Sequence, residues 1–228
     1  MECNKNRAKG KMFFAVQFYY IGLMSSDTGK YQIPDGEESG EILPNKLGIT
    51  DKQELGEAEA EGFANTELEL IEELTDETVF DVAYIRGIHR RSLSHLYEFA
   101  GEYRGVNKSK GGFHFAGALA ISRAMQNFEQ EVLHELPHQY DSREQLIHDI
   151  GLVHAELLFI HPFRDGNGRT MRILANLMSY KQGYDEIDVD PISKGGEMRK
   201  RYIKGVQAAG EENYKPMIQL IGELFPSN

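Results

Sequence analysis

Cysteine is almost missing: one thiol, Cys3, stands in 228 residues. That excludes an internal disulfide framework and any metal site built on cysteine thiolates. A basic stripe is missing too, and nothing offsets the formal net charge of −11. Nucleic acid and anionic membrane both select clustered Lys and Arg, so the balance argues against either as the main partner. It leaves room for a local basic pocket around a phosphate ligand. There is no internal repeat, no low-complexity tract and no Gly-x-x-x-x-Gly-Lys-Ser/Thr phosphate loop. What is present, 40% hydrophobic and 27% charged residues, suits one globular domain with a sizeable core and a short appendage.

The N-terminus carries Lys5, Arg7, Lys9 and Lys11 ahead of an apolar run from Met12 to Met24. The pattern is similar to a secretory leader, and the run is too short to span a bilayer. No small-x-small cleavage site follows it; the next residues are Ser25, Ser26 and Asp27. The reading adopted is that translation begins at Met24 and that the protein is cytoplasmic. Residues 1–49 are taken as a loosely ordered N-terminal extension, since 25–49 are rich in Gly, Pro, Ser and Asp.

From Thr50 and Asp51 the composition turns to Glu, Ala and Leu, as expected for an N-capped helical segment over residues 50–75. Gly62 is expected to divide it into helices of about 51–61 and 64–74. Residues 78–100 place Val79, Val82, Ile85, Ile88, His89, Leu93, Leu96 and Phe99 at helical spacing, ending at Gly101. Val106, Gly111-Gly112 and the Phe113-His114-Phe115 alternation predict a small hairpin. Helices are then expected over about 116–135, 143–160, from Asn167 onward, 194–209 and 213–224. The fold class is mostly α, a helical bundle with one β-hairpin, and its main domain spans residues 76–226.

The stretch that carries chemistry is His161-Pro-Phe-Arg-Asp-Gly-Asn-Gly-Arg-Thr-Met-Arg172. It lies between a helix stopped by Pro162 and a helix that starts near Asn167. A helix N-terminus offers free N–H groups and the positive end of the dipole, hence an anion site. Gly166 and Gly168 let backbone donors approach phosphate oxygens. Arg169 and Arg172, three residues apart, share one face over that turn and suggest a polyphosphate. Asp165 is the turn's one acid, which suits Mg²⁺ held largely by water and substrate phosphates. His161 can accept a proton near neutral pH. Together these residues suggest Mg²⁺-dependent phosphoryl or nucleotidyl transfer to a hydroxyl, with the attacked phosphorus left open.

The same stretch resembles the signature of the Fic family, His-x-Phe-x-Asp/Glu-Gly-Asn-Gly-Arg-x-x-Arg, at every fixed position. The resemblance extends over roughly residues 80–225. It implies a protein adenylyltransferase that moves AMP from ATP, with Mg²⁺, onto a Tyr, Thr or Ser hydroxyl of a target protein. In that scheme His161 is the general base, Asp165 the Mg²⁺ ligand and Phe163 the anchor of the nucleotide-binding loop. Asn167 and the backbone at Gly166 and Gly168 hold the inner phosphates, and Arg169 and Arg172 the distal ones. The hairpin near 104–115 resembles the family's flap, which clamps the target's main chain as an added strand. Kinase-like members replace the second motif glycine and the following arginine, so Gly168-Arg169 fit the AMP-transferring pattern. Two other readings stay open: removal of AMP by the same site, and a non-catalytic toxin-like partner. An antitoxin-like regulator is a further partner of the kind the resemblance brings in.

Fic proteins often carry an inhibitory helix, Ser/Thr-x-x-x-Glu-Gly/Asn, whose glutamate pairs with the second motif arginine. Glu61-Gly62 fits the end of that pattern, although Glu57 stands where Ser or Thr is expected. The resemblance makes Glu61 a regulatory residue pairing with Arg172. His134-Glu-Leu-Pro-His138 matches the zinc-protease pattern, but Pro137 prevents the continuous helix that would align both histidines. Asn107-Lys-Ser109 is a formal glycosylation sequon without consequence in the cytosol, and His154 and Glu156 are read as packing residues.

Overall fold

The structure is a computed structural model that describes residues 42–110 and 113–227, apart from the side chains of Lys110 and Asp190. Cys3, the apolar run and Met24 lie outside the described residues. Helices dominate: α1 (Lys52–Glu73), α2 (Val82–Leu93), α3 (Ile121–Glu131), α4 (Arg143–Ile160), α5 (Asn167–Lys181), α6 (Asp190–Ser193), α7 (Gly196–Ala209) and α8 (Lys215–Leu224). Between α2 and α3 lies an antiparallel pair, β1 (Ser109–Lys110) and β2 (Phe113–His114), in register Ser109 opposite His114. No helix among the described residues is long and apolar enough to cross a membrane.

Helix starts follow local chemistry. Asp51, Asp81 and Ser142 each accept a hydrogen bond from the backbone N–H three residues on, which satisfies an otherwise orphan donor. The centre of the domain is α4, apolar around most of its circumference, with Leu146, Ile150, Val153 and Ala155 fully buried. It packs against α8, α7, α5 and α3, while α1 and α2 pack on each other and on α5. The result is a bundle that holds the α4–α5 connection, residues 161–166, on an interior scaffold.

Several expected boundaries shift. Gly62 does not break a helix, because α1 runs uninterrupted through it. A Cβ at this position would lie 2.1 Å from the Ser92 carbonyl oxygen on α2. The glycine therefore serves close helix–helix approach, not chain reversal. The helix expected over 78–100 is confined to 82–93, and the one expected over 116–135 keeps its α-helical turns only over 121–131. Leu136, ahead of Pro137, is extended. His134 is exposed in a short 3₁₀ turn, so the zinc-protease pattern has no helical face to stand on. Among the described residues no group of three His, Cys, Asp or Glu could hold a metal.

Candidate active site

Helix α4 ends in an unusual way. His161 takes a left-handed conformation, φ 52° and ψ 57°, while its N–H still closes on the Leu157 carbonyl at 2.9 Å. Pro162 keeps the residue before it out of the right-handed α region, and a left-handed cap meets that constraint while ending the helix. The chain then runs antiparallel to residue 103, with Tyr103 bridging Phe163 and the Arg104 N–H donating to the Pro162 carbonyl at 2.9 Å. Gly166 returns to φ +76° and starts α5. At that position a Cβ would press on Phe63 at 3.0 Å and Leu93 at 3.1 Å. No side chain caps the N-terminus of α5, so its first amides stay available to an anion.

The His161 ring has a defined tautomer. Nδ1 faces the Leu158 carbonyl at 3.3 Å; a carbonyl only accepts, so Nδ1 carries the proton and Nε2 keeps its lone pair. Phe115 stacks on the ring at 4.1 Å and 19°. Burial, then the nearby Lys108 ammonium, pushes the His161 pKa down to about 3. The imidazole is neutral at pH 7, as a proton acceptor must be. Lys108 itself reaches from the hairpin to donate to the Arg164 carbonyl.

Phe163 sits as a loop anchor, and the Asn167 side chain, expected on phosphate, is a loop support as well. Phe163 is 1% exposed and stacks on His89 at 4.0 Å and 14°, so it faces the core and not a ligand. The Asn167 side chain is buried, accepting from the Phe163 N–H and donating to the Phe163 carbonyl, both at 2.8 Å. Its amide group is consumed by closing the loop; only its backbone N–H is left for phosphate. Asp165 is more open, its side chain 38% exposed. One oxygen accepts the Gly166 N–H at 2.7 Å and the other lies 3.7 Å from Arg169. Arg172 lies one turn into α5, its Nε 3.3 Å from the Gly168 carbonyl.

The inhibitory pairing is also corrected. Glu61 is exposed. Glu59, two residues earlier and 2% exposed, makes an ion pair with Arg169, Oε2 to Nη1 at 2.8 Å. Its other oxygen accepts the Tyr97 hydroxyl hydrogen. Two residues turn a helix by about 200°, so the two glutamates sit on opposite faces of α1. Arg169 also lies over the Phe63 ring at 4.6 Å. Burial works against its charge, but Glu59 and then Asp165 outweigh that and hold its proton more firmly than usual.

Sequence reading missed three supports. His89 accepts the Gly101 N–H on Nδ1 at 2.7 Å and donates from Nε2 to the Asp165 carbonyl at 2.9 Å. Arg104 and Tyr97 likewise act on residues far away in the chain. Glu59 had a faint signal: Leu55, Phe63 and Leu70 mark the buried face of α1, and position 59 falls on it. His154, buried beside α7, meets the Tyr202 hydroxyl at 2.9 Å, and Glu156 accepts from Tyr214 at 2.9 Å, as packing residues do.

Buried histidines make the fold acid-sensitive in a computable direction. Burial lowers His89 to about 4 and His154 to about 3. Between about pH 4 and 6.5 the unfolded chain binds protons at both that the folded chain refuses, so stability falls as pH falls through that window. Each of these, and His161 with them, contributes up to about 1.4 kcal/mol per pH unit, so urea unfolding should show a loss of roughly 3 to 4 kcal/mol between pH 6 and 5. An unchanged midpoint would mean that the histidines ionise inside the fold.

Beside His161 opens a shallow, solvent-open apolar cleft. The hairpin's Phe113 and Phe115 form one wall, Tyr202, Ile203, Val206 and Gln207 of α7 the other, with Leu158 at the base. It is an apolar slot next to an anion-binding turn and a neutral imidazole.

Comparison with known proteins agrees with this geometry. Residues 79–179 match the model of the Fic/DOC family. The protein adenylyltransferase Fic of Drosophila virilis is 27% identical over 218 residues, 95% of this chain. The chain spans 42% of that relative's length. The N-terminal Fic domain of a VirB-translocated Bep effector protein from Bartonella quintana is 27% identical with a TM-score of 0.66, covering 84% of this chain and 91% of the other. A second structure of such a domain from the same organism, with bound ADP, is 26% identical with a TM-score of 0.64, over 83% and 93%. With the signature complete and folded as a loop between two buried helices, residues 79–179 of this chain are similar, in sequence and in fold, to the Fic/DOC family.

Proposed function

We propose that this chain transfers AMP from ATP to a hydroxyl side chain of a target protein. The observation that carries the reading is the His161 ring: Nδ1 faces the Leu158 carbonyl, which leaves Nε2 to accept a proton, and the residue lines an apolar cleft at one end of the loop that leads into an uncapped helix N-terminus. Phosphates fit the amides at Gly168 and Arg169 and the arginine side chains. The base fits the cleft between Phe113, Phe115 and Ile203, since a flat apolar ring suits aromatic and aliphatic walls. The acceptor oxygen attacks the α-phosphorus, the bond from that phosphorus to the bridging oxygen breaks, and pyrophosphate leaves with the electron pair. Nε2 takes the hydroxyl proton.

Asp165 would hold Mg²⁺. One half-exposed carboxylate, without further acids around it, fits an ion that takes most of its oxygens from phosphates and water. When bound, the ion supplies charge neutralisation for the leaving pyrophosphate. The hairpin offers a short strand to which a target's main chain could add. A cytoplasmic setting, where ATP is plentiful, is part of this proposal. The reading needs no antitoxin-like partner, because α1 itself delivers a carboxylate to Arg169.

The test is incubation with Mg²⁺ and α-labelled or γ-labelled ATP, alone and with cell extract. Protein-bound label from α-labelled ATP only is the expected result. Label from γ-labelled ATP would make the chain a kinase. Label from neither, with Glu59→Gln included, would move the assignment to AMP removal or to a binding role.

A further inference from the structure

We infer that Arg104 is the positioning residue that fixes the catalytic histidine and the flap hairpin in one geometry. The inference rests on the transfer reading above for its meaning, and on hydrogen bonds for its content. Arg104 is 4% exposed. Its Nε donates to the His161 carbonyl at 2.7 Å, and its two terminal nitrogens donate to Val106 and Ala116 carbonyls, each at 2.5 Å. A longer bond reaches the Ile160 carbonyl at 3.4 Å. Val106 enters the hairpin and Ala116 leaves it, so one planar group ties both legs to the last turn of α4.

No carboxylate pairs with this cation among the described residues, and burial lowers its pKa. What stabilises the charge is a ring of carbonyl dipoles, two of them at the negative end of helix α4. Only a guanidinium presents donors in several fixed in-plane directions; an ammonium offers three from one point. The His161 carbonyl is also where this left-handed backbone is held, since positive φ is uncommon outside glycine even though histidine adopts it more readily than most. Fixing that backbone aims the ring, and fixing Ala116 sets the preceding Phe115 against it. Arg104 touches none of the groups assigned to phosphate. Its loss should spare the phosphate contacts, loosen the hairpin side of the base cleft and abolish the aim.

The experiment uses Arg104→Lys and Arg104→Ala in the full chain, with hydrogen exchange, direct ATP binding and transfer measured together. Expected are faster exchange at 105–116 and 160–164 with α4 and α5 unchanged, ATP affinity weakened by no more than a few-fold, and transfer down by about 10²-fold. Methylguanidinium added to Arg104→Ala should restore part of the transfer, and nothing in His161→Ala. Exchange unchanged in the two segments, or Arg104→Lys transferring like the parent, would overturn the inference. So would both variants losing fold, ATP binding and transfer together, since Arg104 would then be a stability residue only. If the parent chain transfers no AMP, the transfer reading fails, and the exchange pattern still decides whether Arg104 couples hairpin and loop.

Discussion

His161→Ala is expected to lower AMP transfer by about two to four orders of magnitude, the usual contribution of a positioned general base. ATP affinity should be little changed, because the phosphate-facing groups belong to α5 and the base-facing ones to the hairpin and α7. The pH dependence is the sharper expectation. An ordinary histidine would make kcat/KM fall below about pH 6.5 as it protonates. Here burial and Lys108 hold the free enzyme's ring neutral far below that, to about 3. The bend at 6.5 should therefore be missing from kcat/KM, and the acid limb should follow loss of the fold. Arriving phosphates carry negative charge, which favours the imidazolium and raises the ring's proton affinity once ATP is bound. The ring is thus neutral while it waits and a stronger base in the complex. Lys108→Met removes one of the three depressing influences, burial, Lys108 and Arg104, and should move His161 upward. A kcat/KM that bends at 6.5 in the parent chain would show that the ring is solvated in the working enzyme.

How much of this was legible in the sequence depends on how local the chemistry is. The twelve residues from His161 to Arg172 announce an anion site because loop, glycines and arginines are contiguous. Helices α4 and α5 were placed well for the same reason: their apolar runs are long and their stops are Pro162 and the glycines around Asn167. What sequence did not disclose is which side chains the fold spends on holding that loop. Asn167 looks like a ligand in a motif, and its side chain turns out to be a fastening of the loop, beside the anchor Phe163. His89, Arg104 and Tyr97 act on residues dozens of positions away, which no local pattern records. Gly62 was misread because a glycine in a helix has two meanings, a break or a close approach, and only the Ser92 carbonyl decides between them. That misreading also let Glu61, next to the glycine, stand in for Glu59.

Glu59→Gln should raise transfer, whereas Glu61→Gln should leave it unchanged. Arg169 has one guanidinium edge on Glu59, and a phosphate must compete with a carboxylate already in place at 2.8 Å. Glutamine keeps the size and the hydrogen bonds to Arg169 and Tyr97 but removes the charge, so a polyphosphate can win the arginine. A rise of about tenfold corresponds to 1.4 kcal/mol of competition, modest beside the several kcal/mol typical of breaking a buried ion pair. The same substitution should lower Tm, because the pair also ties α1 to α5. Arg169 is at the mouth of the site with its side chain 22% exposed, so solvent makes up part of the loss. A cost of about 1 to 2 kcal/mol, or roughly 2 to 8 °C, is expected. Activity and stability moving in opposite directions is the signature of a contact that competes with substrate. If Glu59→Gln lowers both together, the pair instead orients Arg169 for the phosphate and α1 belongs to the catalytic scaffold. If Glu61→Gln raises transfer, α1 rotates in solution to bring its other face to the site, and the pairing with Arg169 is not the one that governs activity.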